Sequence, residues 1–332
     1  MFTIKSTIYN FFIMTITVLL CSCDTEPIEE NTEYEEWGFR HDRDSSLYVS
    51  LGSNSGSYSN TDLYPDFSSV GCIYHEDYTA SGVLINEKWV LTAAHNFITD
   101  TISPELYPED LSFRIGSDYN NHVEEVFVVN IFYHPAWIEN LYKGDDDGFD
   151  IALMELEEPV ESVEPATYYI GTNETVGSTI YMSGFGDYEP YFDSGIWSYR
   201  RAWVNILDRV VGGLEAENEF EDETFYPYGG LIGFDFDSPN GENNPLDNDN
   251  EILGSGNSDP IPLDLEGTIV SGDSGGPCFA KIDGEWVIIG VCSNSDTTSY
   301  GAIGIYTRVS SHKDWIYDTM NRNTVSNIVL NP

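Results

Sequence analysis

Apolar and polar positions alternate in short runs along most of this chain, interrupted every few residues by Gly, Asn, Asp or Pro. Residues 81–91, 123–133, 151–156, 179–183, 201–206, 285–292 and 302–309 are rich in β-branched and aromatic side chains, which suit a pleated, half-buried surface. Helical periodicity is weak until residues 312–321 (HKDWIYDTMN), which read as one closing helix. Many short strands without long helices between them predict an all-β barrel or sandwich.

The N-terminus follows another pattern. Residues 11–20 (FFIMTITVLL) are continuously apolar, and Lys5 is the only charge before Asp24. Such a run has the length of an export-signal core and about half the roughly 20 residues that a membrane-spanning helix needs. It ends in Leu20-Cys21-Ser22-Cys23. This resembles a bacterial lipobox, which implies removal of residues 1–22 and a diacylglycerol on Cys23. Ordinary signal cleavage near Ser22, with Cys23 a bystander, is the simpler alternative. Residues 23–45 are polar and acidic and read as a tether; 46–322 read as the folded domain and 323–332 as a tail. The expected location is the bacterial cell envelope, with membrane contact only through the lipid.

Composition narrows the function class. The 332 residues carry 57 Asp and Glu against 13 Lys and Arg, a net charge of −44. That balance excludes a general nucleic-acid binder, which needs cations to displace phosphate counterions, and disfavours a basic patch on an anionic leaflet. The 41% hydrophobic and 14% aromatic content excludes a disordered chain. Fifteen acids fall within residues 215–266, and no basic residue lies between Arg209 and Lys281. This stretch reads as an acidic loop insertion, about 215–266. Residues 247–251 (DNDNE) alternate oxygen-bearing side chains like part of a calcium loop, without the glycine and terminal Glu of a regular one. No other cofactor is expected, and five of the six His show no metal-ligand spacing.

The chemistry concentrates in three short motifs. Gly272-Asp273-Ser274-Gly275-Gly276-Pro277 places a serine on a glycine-flanked turn, where the N–H groups of Gly272 and Ser274 can converge on a developing oxyanion. A serine hydroxyl needs a base to take its proton. His95 ends Thr92-Ala93-Ala94-His95 directly after a strand-like run. An imidazole base needs a carboxylate to fix its tautomer; Asp150 opens the apolar Asp150-Ile151-Ala152-Leu153. Asp145, Asp146 and Asp147 compete for that role, in a run that reads as a solvated turn.

These motifs, in this order, resemble the trypsin/chymotrypsin family of serine proteases. Ser81-Gly82-Val83, His134-Pro135, Gly184-Phe185-Gly186, Tyr306-Thr307-Arg308 and Trp315-Ile316 extend the similarity over roughly residues 70–320. The resemblance implies two packed six-stranded antiparallel β-barrels with a short C-terminal helix, and a polypeptide substrate in the cleft between them. It implies Ser274 as nucleophile, His95 as general base, Asp150 as orienting carboxylate, and Ser293 as a hydrogen-bond donor to that aspartate. A non-catalytic surface lipoprotein that uses the fold for binding is the alternative class.

Several positions depart from the family pattern. The expected floor of the primary specificity pocket is Thr268 rather than an acid, with walls at Ser293, Ser295 and Gly304, which points to cleavage after a neutral apolar residue. The family disulfide beside the catalytic His is absent, its positions holding Ala80 and Asn96. Cys278 and Cys292 lie on strands flanking a turn near Asp283-Gly284, and a bridge between them is the expected pairing, with Cys72 free. In the family a newly cut Ile or Val terminus pairs with the aspartate before the nucleophile, here Asp273. No such segment precedes residue 72, so Arg40 or Arg43 is the expected counter-charge for Asp273.

Overall fold

A computed structural model describes residues 38–98, 106–140, 148–187, 198–212 and 229–322. The signal segment, Cys23, Asp145–Asp147 and the tail lie outside the described residues. The first half forms a closed antiparallel barrel of β1 (Val70–His75), β2 (Tyr78–Asn86), β3 (Trp89–Thr92), β4 (Ser112–Ile115), β5 (Glu124–Tyr133) and β6 (Ala152–Leu156), in the order β1-β2-β3-β6-β5-β4. In β5 the two-residue period is visible: Val126 and Val128 point inward while Phe127 and Val129 face solvent. The barrel interior is filled by Ile73, Leu84, Val90, Phe113 and Met154 among others.

The second half is a seven-stranded antiparallel sheet containing β7 (Thr179–Gly184), β8 (Arg201–Ile206), β9 (Arg209–Val211), β10 (Leu231–Asp235), β11 (Pro277–Ile282), β12 (Glu285–Ser295) and β13 (Ile303–Arg308). Its order, β8-β7-β11-β12-β13-β10-β9, puts β8 and β9 at opposite ends. Only Leu207 and Asp208 separate those two strands in the chain, and two residues span less than about 11 Å. The sheet therefore curls until its ends meet, and β8 and β9 act as one bent strand. This is the second six-stranded barrel that the resemblance implied. A short helix, α2 (Lys313–Asn321), closes the described chain, and a larger core cluster runs through both halves, from Val83 and Leu91 to Met182, Ile288 and Val291.

Helix α1 (Ser45–Gly52), capped by Asp44 accepting from the Ser46 N–H, lies against β8. A Cβ at Gly52 would meet the Arg201 backbone at 2.6 Å, so only glycine permits this approach. The wholly buried Arg200 ties the region together through the Gly52, Val70 and Gly116 carbonyls.

Three sequence-based expectations change here. The domain starts before residue 46: Phe39 and Arg40 are buried, and Phe39 stacks on Tyr48 at 3.9 Å. The acidic stretch is not wholly surface loop, because its apolar residues 231–234 form β10, paired on both sides and buried throughout. The Cys278–Cys292 bridge does not form; all three described cysteines are free. Asp283 and Gly284 both have positive φ, the geometry of a tight two-residue hairpin. That turn and a bulge beside Cys278 set the register Cys278↔Gly290, which leaves Cys292 opposite Gly276. In residues 247–251 the Asn250 side-chain oxygen is taken by the N–H groups of Ile252 and Leu253. Among the described residues no group of three or more His, Cys, Asp or Glu is placed to hold a metal ion.

Four acids of the insertion and its border, Asp208, Asp235, Asp237 and Glu266, are buried together. Burial first, and their mutual repulsion second, push Asp237 up to about 9; burial lifts Glu266 to about 7, and Asp208 and Asp235 shift upward from the same first cause. Carboxyls with raised folded pKa values stabilise fully below their unfolded value near pH 4 and lose that contribution as pH rises through the folded value. Burial holds His134 at about 3 and His312 at about 4; these act oppositely, but only up to their unfolded pKa of about 6.5. Between pH 7 and 9 the carboxyls dominate, and Tm is expected to fall on the order of 5 °C, with a shallower slope in Asp237→Asn. Calorimetry across that range, showing a flat or rising Tm, would contradict this.

Candidate active site

The three motifs converge at the cleft between the barrels. His95 sits in a single 3-10 turn, Ala94–Asn96, directly after β3. Asp150 precedes β6, and Ser274 lies on the tight turn before β11. The His95 Nε2–Ser274 Oγ distance is 2.8 Å and the His95 Nδ1–Asp150 Oδ2 distance is 2.6 Å. An ionised carboxylate only accepts, so Nδ1 carries the proton and the Nε2 lone pair faces the serine hydroxyl. The backbone N–H of His95 donates to Asp150 Oδ1 at 2.9 Å, and Ser293 Oγ donates to Oδ2 at 2.6 Å. Burial alone would raise the Asp150 pKa, but the His95 charge and these donors hold it below the ordinary carboxylate value.

The supports of this line come from both barrels. Thr307 Oγ1 on β13 donates to the Asp150 carbonyl. His312 Nε2 contacts the Gly148 carbonyl at 2.7 Å; His134 stacks on Phe149 and tilts against Trp315, and His312 meets both His134 and Phe149 edge to face. Two of the five remaining histidines are thus structural, neutral members of an aromatic cluster.

The turn is held by donors on its far side. Gly272 and Gly275 have φ of +91° and +83°, and a Cβ at Gly275 would lie 2.0 Å from Thr92 Oγ1. The N–H groups of Asp273, Gly275 and Gly276 bond within the protein, whereas those of Gly272 and Ser274 have no partner among the described residues. Ser81 Oγ donates to the Gly272 carbonyl and accepts from the Phe185 N–H, and Ser81 N–H donates to the Ser274 carbonyl. Asn96 Nδ2 bonds both Thr92 Oγ1 and the Ser274 carbonyl, while Tyr78 Oη donates to its oxygen. Ser81, Asn96 and Thr307 were not singled out as functional from sequence. Asn96 carried a signal: it occupies a position where the family has cysteine, and its amide makes non-covalent links where a disulfide would stand.

A cavity of about 330 Å³ opens beside Ser274, lined by Ile269, Val270, Ser293, Ser295 and Thr298 among others. Ser293 and Ser295 line it. Thr268 and Gly304 do not line it. Thr268 is buried, its hydroxyl has no partner among the described residues, and its backbone N–H donates to the Gly38 carbonyl; Gly304 is covered by the Phe234 ring, 2.4 Å from where a Cβ would stand. Among the described residues Asp150 is the one carboxylate lining the cavity, and its oxygens are already committed.

Asp273 also differs from expectation. Arg40 pairs with Asp42 and the Leu263 carbonyl, and Arg43 with Asp42 and Asp264; neither reaches Asp273. Its carboxylate lies 3.7 Å from the buried guanidinium of Arg201 and accepts from the N–H groups of Gly186 and Val270 at 2.8 and 3.1 Å.

The family model described as Trypsin matches residues 65–206 and 262–316, more than half of the chain. The chain belongs to that family. The unmatched interval, 207–261, holds β9, β10 and most of the acidic stretch. Similar proteins include the "Calcium-dependent serine proteinase" of Mesocricetus auratus, 27% identical over 270 residues covering 76% of this chain and 33% of that protein. The "Complement C1s subcomponent" of Sus scrofa is 28% identical over 273 residues, covering 77% of this chain and 34% of that protein. The chain thus spans about a third of the length of these relatives. Among the described residues no helix is long and apolar enough to cross a membrane.

Proposed function

We propose that this protein is a serine endopeptidase that hydrolyses peptide bonds through an acyl-enzyme on Ser274. The observation that carries the reading is the continuous hydrogen-bond line from Asp150 through His95 to Ser274 Oγ, ending beside two unused turn N–H groups. As Oγ attacks the scissile carbonyl, His95 Nε2 takes its proton, and the ionised Asp150 stabilises the imidazolium without being protonated. The carbonyl oxygen becomes an oxyanion that accepts from the Gly272 and Ser274 N–H groups. His95 then returns the proton to the departing amine, leaving an ester on Ser274. Water, deprotonated by the same nitrogen, attacks the ester, and the proton passes back to Oγ as the acid product leaves.

The same reading includes cleavage after a neutral, medium-to-large apolar residue. What supports it is the cavity lining, which combines Ile269 and Val270 with serine and threonine hydroxyls and, among the described residues, holds no uncommitted carboxylate to attract a cation. It also includes export and lipidation at Cys23, supported by the apolar run and the Cys23 motif.

A fluorophosphonate probe is expected to label Ser274, with no label in Ser274→Ala. Labelling should fall on the order of 10⁴-fold in Asp150→Asn, the loss known for the equivalent change in this family's triad. A folded wild-type protein that takes no label would favour the non-catalytic surface lipoprotein. In a peptide library, cleavage should follow neutral apolar residues, and a strong preference for Arg or Lys would contradict the pocket assignment. Metabolic labelling with a fatty acid should be lost in Cys23→Ala; equal labelling in the variant would remove Cys23 as the anchor.

A further inference from the structure

Asp273 stands between the two unused N–H donors of Gly272 and Ser274, yet its carboxylate runs into the protein interior and is wholly buried. It fits there because its neighbours are glycines: a Cβ at Gly184 would come within 2.4 Å of Oδ1, and one at Gly186 within 2.7 Å of both oxygens. Arg201 opens β8 directly opposite Gly184 of β7, which delivers its guanidinium to the same place. The Gly186 peptide joins the pair. Its N–H donates to Asp273 Oδ1, and its carbonyl accepts from Arg201 Nη2. Burial pushes the Asp273 pKa up, and the Arg201 charge opposes that push.

The segment before the first barrel closes over this pair. The Phe39 ring lies 5.6 Å from the Arg201 guanidinium carbon, and Phe39 forms a bridge with Gly267. Gly38 N–H donates to the Thr298 carbonyl, and the Gly38 carbonyl accepts from Thr268, both at 2.8 Å. Thr298 lines the cavity. From there the chain continues through α1, packed on β8, into β1.

We propose that Arg201 is the internal counter-charge that positions the Gly272–Ser274 turn, so that the catalytic site is assembled while residues 38–70 remain one uncut segment. The proposal rests on the protease reading above and deepens it. Arg201 touches no substrate; it acts through Asp273. Without the guanidinium, the carboxylate is a buried charge lacking its counter-ion, which it escapes by protonating or by swinging outward. Either change moves the peptide groups on both sides of it, and these carry the two oxyanion donors. Those donors bond most strongly in the transition state, so the loss belongs in kcat.

The test uses the full chain and compares wild type with Arg201→Met, Arg201→Lys, Asp273→Asn and the Arg201→Met/Asp273→Asn double variant. The readouts are Ser274 labelling by a fluorophosphonate, kcat and KM on a peptide substrate, thermal unfolding, and the intact mass of the labelled species. Arg201→Met is expected to unfold cooperatively while kcat and labelling fall by about 100-fold or more, with KM changed less than about threefold. Arg201→Lys should recover at least about tenfold of that loss, and the double variant should lose no more than Arg201→Met alone, because the two side chains act as one unit. The labelled wild-type mass should include an unbroken 38–70 segment. Arg201→Met labelled at the wild-type rate would overturn the proposal, as would label confined to chains cut between 38 and 70. Should Arg201→Met not fold, Arg201→Lys decides: faster labelling than Asp273→Asn supports the pair, and equal labelling overturns it. An unlabelled wild type overturns the protease reading together with this one; a labelled wild type with an equally labelled Arg201→Met overturns this one alone.

Discussion

Two buried carboxylates, Asp150 and Asp273, flank Ser274, and the need to satisfy both without solvent governs the architecture around it. An uncompensated buried charge costs more than most single contacts return, so each must have donors delivered from elsewhere in the fold. Asp150 receives the His95 ring, the His95 backbone and Ser293. Asp273 receives the Gly186 and Val270 N–H groups and the Arg201 charge. These partners come from β8, β12, the ends of β3 and β7 and the segment just before the turn, which explains why the site exists only when both barrels are formed and docked.

The turn between the two acids is correspondingly short of freedom. Ser81 and Asn96, both from the first barrel, hold the carbonyls of Gly272 and Ser274. The backbone that carries the Gly272 and Ser274 N–H groups is therefore fixed by the opposite half of the molecule. Beside the histidine, where the family resemblance implied a covalent bridge, this chain has Asn96 and Thr92 hydrogen bonds instead, individually weaker but convergent. The free, buried Cys72, Cys278 and Cys292 fit a domain that relies on its core.

The acidity that dominates the composition divides into two kinds. Much of it is exposed, as at Asp247, Asp249 and Glu251, and serves solvation. A smaller set beside β10 is buried and has raised pKa values. Sequence cannot separate the two, since Asp235 and Asp249 differ only in what the fold places around them. The same holds for arginine: Arg40 and Arg43 looked suited to Asp273 by their place near the N-terminus, but both are captured locally by Asp42, while Arg201, inside a strand pattern, carries the buried charge.

Local patterning identifies the all-β class, the runs that become β2, β3, β5–β8, β12 and β13, and the three motifs that carry His95, Asp150 and Ser274; β1, β4 and β9–β11 are not legible in it. Those signals are local: period-two apolar patterning, and short motifs whose glycines and small residues are required by one tight turn or one strand end. Ser293 was legible for the same reason, by its place in a recognisable strand. Which residues line the pocket, whether Cys278 meets Cys292, and which cation faces Asp273 are fixed only by the folded chain. Each depends on register or on long-range approach. A bulge moves Cys278 to Gly290; the Phe234 ring covers Gly304, and Thr268 is buried beside Gly38, to whose carbonyl its N–H donates; and Arg201 reaches Asp273 because β8 pairs with β7 opposite a glycine. Pairing between residues far apart in the chain is an energy of the folded state alone, and no local pattern records it.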